Sequence, residues 1–148
     1  MYVKSDLLHG KIQEEIYMQH PKGFIHDPSL VFRLNNSLYG LKQTPRAWYA
    51  KMDNFLLSQG IERWKYDPNV YLQHLYGSIQ IIVLYVDDHL ITGSCIADIA
   101  SIKSSLHNAF SMTNLGLLKQ FLGLEIEQYD VGTKLSQSKY ALELLPKF

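Results

Sequence analysis

Ile81 to Val86 is an unbroken run of six apolar or aromatic residues, and it ends on two adjacent carboxylates, Asp87 and Asp88. Such a run predicts a strand buried on both faces. Successive strand side chains point to opposite faces, so the two carboxylates share a side only if the chain turns there. Upstream, Val70 to Tyr76 reads as a strand, Gly77-Ser78 as a turn and Ile79 to Tyr85 as the strand that returns. His89 to Thr92 reads as a third strand, which places Asp87 and Asp88 at a hairpin tip.

The flanking segments alternate between helical and extended periods. Residues 1–8 read as the tail of a strand, and Gly10 to Pro28, broken by Gly and Pro, as loop with a short turn of structure. Trp48, Met52, Phe55 and Leu56 recur at helical spacing. Thr44 is placed to cap that helix, Pro45 to occupy its first position and Gly60 to close it. Ile99, Ile102, Leu106 and Phe110 mark a second helix. Leu122, Leu124 and Ile126 alternate with Gly123, Glu125 and Glu127, the pattern of a half-buried strand. Asp130-Val131-Gly132 turns into a strand over Thr133 to Ser136, and a last helix covers Lys139 to Leu145 before Pro146. The expected fold is α+β, with an antiparallel sheet and helices packed on one face.

The chain has 148 residues, enough for one domain with a sizeable core. A single cysteine, Cys95, excludes an internal disulfide and a Cys-based zinc site, and is read as a small buried residue. No apolar run approaches the roughly 20 residues of a membrane span, and the first residues lack the apolar block of a signal peptide. An intracellular protein with no membrane partner is expected. Formal charge is zero, but its distribution is uneven. Arg33 to Lys65 holds six basic and two acidic residues, whereas Tyr66 to Asp98 holds four acidic residues and no Lys or Arg. A basic block beside an acidic one suits either a phosphate-binding face next to a metal seat or ordinary surface charge.

Four blocks, in order and spanning essentially the whole chain, resemble the reverse transcriptase of copia-type retrotransposons. The first runs from Val3-Lys4-Ser5 to Gly10 and continues through Glu14-Glu15-Ile16-Tyr17-Met18 and Pro21-Lys22-Gly23-Phe24. The second is Ser37-Leu38-Tyr39-Gly40-Leu41-Lys42-Gln43-Thr44-Pro45-Arg46-Ala47-Trp48-Tyr49, and the third is Tyr85-Val86-Asp87-Asp88. The fourth is Phe121-Leu122-Gly123-Leu124-Glu125-Ile126 with Leu135-Ser136-Gln137-Ser138-Lys139-Tyr140. The resemblance implies a partial reverse transcriptase domain over residues 1–148, built as a polymerase palm and acting on an RNA template and a DNA primer. It implies two-metal nucleotidyl transfer with Mg²⁺, or Mn²⁺ in its place, since hard cations of this kind take carboxylate oxygens. Asp87 and Asp88 are then the catalytic and metal-binding pair. Lys42, Gln43, Arg46 and Leu7 are the nucleotide- and template-facing residues, and Leu122 with Gly123 forms a primer-grip-like strand. Core packing is the competing account of Leu38, Tyr39, Trp48 and Tyr49, and a small residue beside a packed helix that of Gly123. His89 is read as a neutral strand histidine rather than a ligand.

Three departures from the family pattern limit that expectation. Tyr2 stands where the family has a catalytic Asp immediately before Val-Lys-Ser. A phenol is neutral near pH 7 and offers no charged oxygen. Asp6 lies four residues on, about 13 Å along an extended strand. Leu7 replaces the aromatic residue that faces the sugar of the incoming nucleotide. The fingers segment that precedes the first block in the family is not in this sequence. The expectation is therefore a truncated, catalytically impaired reverse transcriptase remnant. The alternative is a non-catalytic nucleic-acid-binding or interaction module derived from the same fold.

Overall fold

A computed structural model describes residues 1–3, 10–21, 23, 27 and 29–147. The chain divides into two compact units, Met1–Asn114 and Leu115–Phe148.

The first unit is built on a six-stranded sheet. In chain order its strands are β1 (Tyr2–Val3), β4 (Glu62–Arg63), β5 (Val70–Leu75), β6 (Ser78–Tyr85), β7 (Asp88–Gly93) and β8 (Met112–Thr113). Two further short strands, β2 (Tyr17–Met18) and β3 (Phe32–Arg33), pair with each other in a separate two-stranded sheet. In space the sheet runs β4-β5-β6-β7-β1-β8, every pair antiparallel. Helices α1 (Thr44–Ser58) and α2 (Ile96–Ala109) supply the rest of the core. Trp48, Met52 and Leu56 of α1 join Ile102 and Leu106 of α2, then Tyr71, Ile82, Leu84, Val3 and Met112 of the sheet, in one buried cluster. Each large aliphatic side chain removed from water there contributes about 1.5–3 kcal/mol. The α+β expectation with antiparallel pairing holds.

The apolar run of β6 is not buried on both faces, as its composition predicts. Gln80, Ile82 and Leu84 are buried, whereas Ile81 and Val83 are half-buried and Ile79 and Tyr85 exposed. The helices cover one face only, so burial alternates where hydrophobicity does not. The capping of α1 also differs. Gln43, not Thr44, is the N-cap residue, and it makes no side-chain cap bond. The Thr44 hydroxyl instead donates to the Leu38 carbonyl at 2.6 Å. Cys95 is half-buried and precedes α2, rather than sitting in the core.

Asp53 ties α1 to the sheet edge. It is a buried carboxylate that accepts from the Tyr71 hydroxyl at 2.6 Å and from Arg63 Nε at 3.0 Å, with Arg63 Nη2 on its second oxygen. Burial and the bond to Asp53 raise the Tyr71 hydroxyl far above the ordinary phenol range, so it stays a donor.

The second unit pairs β9 (Gln120–Phe121), β10 (Leu124–Tyr129) and β11 (Gly132–Ser136) in the order β11-β10-β9. Helix α3 (Ser138–Leu144) follows and passes into a short 3₁₀ turn, Leu145–Lys147. The expected strand over Leu122 to Ile126 begins only at Leu124. Leu122 and Gly123 form a two-residue turn with φ of 50° and 80°. Both lie in the left-handed region, the signature of a type I′ hairpin.

Candidate active site

The hairpin joining β6 to β7 is closed by the pair Tyr85 and Asp88, which leaves Val86 and Asp87 as a two-residue loop. Val86 has φ of 50°, while Asp87 is outside the left-handed region. A left-handed first position followed by an ordinary second one is the φ pattern of a type II′ turn, which favours glycine first. Here a β-branched residue occupies that place, a strained arrangement held only where its surroundings impose it.

Among the described residues, three donors from outside the hairpin hold the loop. The Trp48 indole N–H donates to the Val86 carbonyl at 3.0 Å. The Val3 backbone N–H donates to the Asp87 carbonyl at 3.0 Å. The Tyr39 hydroxyl donates to Asp87 Oδ2 at 2.8 Å, and that bond raises the phenol above its ordinary range. Asp87 Oδ1 is buried and has no hydrogen-bond partner among the described residues. A carboxylate oxygen in that condition suits a cation, because an unpaired buried charge is costly.

Strand β1 lies directly beside the carboxylates. Tyr2 is the register partner of Asp88, and Met1 and His89 exchange backbone hydrogen bonds of 2.6 and 2.8 Å. Directly opposed residues of antiparallel strands share a face, so Tyr2, Asp88 and Tyr85 project from the same side of the sheet. That side is the one α1 and α2 leave uncovered, and Tyr2 and Tyr85 are exposed there. His89 projects to the opposite, buried face, where burial pulls its imidazole down to about 4. It is therefore neutral near pH 7, and it faces away from the carboxylate side, as its reading as a strand histidine requires. Among the described residues no group of three or more His, Cys, Asp or Glu side chains is placed to hold a metal.

The other sequence-derived positions fall elsewhere. Gln43 and Arg46 line a cleft of about 520 Å³ on the outer side of α1, together with Lys11 and Lys51. Lys42 is exposed and is not among the residues lining that cleft. Leu122 and Gly123 belong to the second unit, in a shallow cleft of about 340 Å³ with Gln120, Lys139 and Tyr140. A Cβ at Gly123 would meet nothing within 4 Å, so its positive φ, not close approach of another group, calls for glycine. Leu7 and Asp6 lie outside the described residues. The sequence reading missed Tyr39 and Trp48 as partners of the hairpin. Their place in the Ser37–Tyr49 block is the only signal that could have singled them out.

An antiparallel sheet backed by two helices, with an acidic hairpin whose Asp88 projects from the face opposite those helices, defines a class of mixed α+β proteins rather than a particular activity. The sequence supplies the next step. Residues 1–148 match the reverse transcriptase (RNA-dependent DNA polymerase) family, and the chain belongs to it. It is 43% identical over 151 residues to the "Retrovirus-related Pol polyprotein from transposon TNT 1-94" of Nicotiana tabacum, covering 99% of this chain and 11% of that protein. It is 37% identical over 147 residues to the Pol polyprotein from transposon RE1 of Arabidopsis thaliana, covering 98% of this chain and 10% of the relative. A Gag-Pol polyprotein of transposon Ty1-DR1 from Saccharomyces cerevisiae is 31% identical, over 98% of the chain and 8% of its own length. These homologues are retrotransposon Pol polyproteins of the copia/Ty1 type. The chain thus spans about a tenth of the length of the relatives it matches. No solved structure matches it at a significant level. No described helix is long and apolar enough to cross a membrane.

Proposed function

We propose that this chain is the palm portion of a copia-type reverse transcriptase, and that Asp87 and Asp88 are the hairpin half of its divalent-metal site. The observation that carries the reading is the register of β1 against β7, with Tyr2 opposite Asp88 and the Asp87 carbonyl bonded to Val3. A carboxylate at position 2 would stand beside the pair, on the same face of the sheet. A phenol there leaves two carboxylates, which fits Mg²⁺ held through one or two protein oxygens and completed by waters and substrate phosphates. Asp87 Oδ1, buried and without a partner among the described residues, is the first such oxygen, and Asp88 supplies the second. When bound, divalent ions in a nucleotidyl-transfer site stabilise the attacking and leaving oxygens.

The protein's own part is to orient and to neutralise. Tyr39 fixes one oxygen of Asp87. Arg46 and Gln43, with Lys11 and Lys51 outweighing Glu14, give the cleft beside α1 a net positive lining for the phosphates of template or nucleotide. Lys42 adds exposed charge next to it. RNA template and DNA primer are the partners on this reading. In the second unit, the Leu122-Gly123 turn takes the primer-grip-like role.

On the same reading, Tyr2 impairs nucleotidyl transfer by this chain taken alone. At 1.36 kcal/mol per tenfold in rate, a loss of about 5 kcal/mol of transition-state stabilisation leaves under a thousandth of the activity. Primer extension on an RNA template with Mg²⁺ or Mn²⁺ tests this directly. No templated synthesis is expected, and synthesis abolished by Asp87→Asn would overturn the claim of impairment while supporting the site.

A further inference from the structure

We infer that Trp48 is the positioning residue of the carboxylate tip. Its indole N–H, fixed in the core, holds the Val86 carbonyl and so keeps Val86 in the conformation that presents Asp87. The inference rests on the reading of Asp87 as a metal-facing residue only for its functional meaning; the geometry stands by itself.

Val86 occupies the left-handed region at φ of 50°. A positive φ is uncommon for any L-residue and an outlier for a β-branched one, which has no local means of offsetting it. The hairpin therefore does not hold its own tip, and something outside must. Trp48 meets the need. It is 2% exposed, its ring packs edge-on against Phe110 at 5.4 Å between centroids, and His89 flanks it at 6.3 Å. Phe110 is fixed in turn by Phe55 at 5.0 Å. An indole confined on these sides can donate in one direction only, and that direction is the Val86 carbonyl, at 3.0 Å. The same sequence block sends Tyr39 to the next residue of the loop. One stretch of chain, the turn before α1 and the first turns of α1, thus grips both loop residues, one through the backbone and one through the side chain. Two other hairpins of the chain need no such clamp. Tyr76 and Leu122 also lead their loops with positive φ, but each is followed by a left-handed glycine that completes a type I′ turn.

The experiment is NMR on the full chain, with Trp48→Phe, Val86→Gly and the double variant. Phenylalanine retains a ring but lacks the donor. In the wild type, Val86 should give the strong intraresidue HN–Hα contact of positive φ, and the Trp48 indole proton should exchange at least about a hundredfold more slowly than a free indole. Trp48→Phe should abolish the Val86 signature and speed amide exchange at the tip about tenfold. Adding Val86→Gly should restore protection, since glycine holds the turn unaided. A role of Trp48 in core packing alone predicts no such rescue. Trp48→Phe with unchanged Val86 geometry, or a double variant without rescue, would overturn the inference. Should Trp48→Phe fail to fold, the wild type decides: a scalar coupling across the hydrogen bond from the Trp48 indole nitrogen to the Val86 carbonyl carbon, with positive φ at Val86, supports the clamp, and a freely exchanging indole or an ordinary φ at Val86 overturns it. Mn²⁺ added to the wild type separates the two claims. Absence of line broadening at Asp87 and Asp88, with the clamp results intact, defeats the metal reading and leaves the clamp standing.

Discussion

The contact between Asp53 and Tyr71 should carry a measurable share of the stability of the first unit. Asp53 lies on α1 and Tyr71 on β5, and their 2.6 Å hydrogen bond is buried. A hydrogen bond to a charged acceptor contributes about 1.5–3 kcal/mol, and a buried hydroxyl left without an acceptor costs about 1–3 kcal/mol. Asp53→Ala removes the bond but leaves the Tyr49 hydroxyl, 3.2 Å from the Tyr71 hydroxyl, as a substitute acceptor, so it should destabilise the chain by about 1.5–3 kcal/mol. Tyr71→Phe removes the donor while keeping the ring, and should cost about 1–2 kcal/mol. The Arg63 contribution is left out of these figures, because that guanidinium is 41% exposed. The assay is a double-mutant cycle by urea denaturation, using Asp53→Ala, Tyr71→Phe and the pair. A coupling of about 1–2 kcal/mol is expected. Coupling below about 0.5 kcal/mol would show that the carboxylate is effectively solvated and refute the reasoning.

Three further outcomes follow from the same structure. His89 has a folded-state pKa of about 4 against an ordinary 6.5, so its contribution to stability is full above pH 6.5 and is lost as the pH falls toward 4. At 1.36 kcal/mol per pH unit the gap amounts to about 3 kcal/mol. Denaturation profiles of wild type and His89→Leu should therefore diverge over that window, and parallel profiles would show the imidazole to be solvated. Gly93→Ala brings a Cβ to 2.7 Å from the Ile79 carbonyl oxygen and should cost about 1–3 kcal/mol by thermal melting. Gly123→Ala meets open space but keeps a φ of 80°, so it should cost about 1–2 kcal/mol by thermal melting, and a loss above about 3 kcal/mol would contradict the open surroundings.

What the sequence made legible was local. Asp87 and Asp88 end an apolar run, and a turn was required for them to share a side; the loop at Val86 and Asp87 supplies it. Helix α1 was visible in the spacing of Trp48, Met52 and Leu56, all of which are buried. Burial on one face of β6 was not visible, because a continuous apolar run reads the same whether one face or both are covered. Nor was the two-residue turn at Leu122-Gly123, where an apolar residue in the left-handed region gives no compositional warning. The bonds from Tyr39 to Asp87 and from Trp48 to Val86 span 48 and 38 residues. Such pairings depend on how α1 settles against the sheet, and neither periodicity nor turn chemistry encodes them. The same holds for Asp53, which reads in sequence as one more polar residue on a helix.

The central claim is that Tyr2 occupies the place of a third carboxylate beside Asp87 and Asp88, and Mn²⁺ titration followed by electron paramagnetic resonance tests it most directly. Tyr2→Asp should bind Mn²⁺ about tenfold or more tightly than the wild type, the order of effect of one added carboxylate at a partly exposed cation site. Adding Asp87→Asn to Tyr2→Asp should remove that gain. Equal Mn²⁺ affinity of wild type and Tyr2→Asp, with the fold intact, would contradict the account.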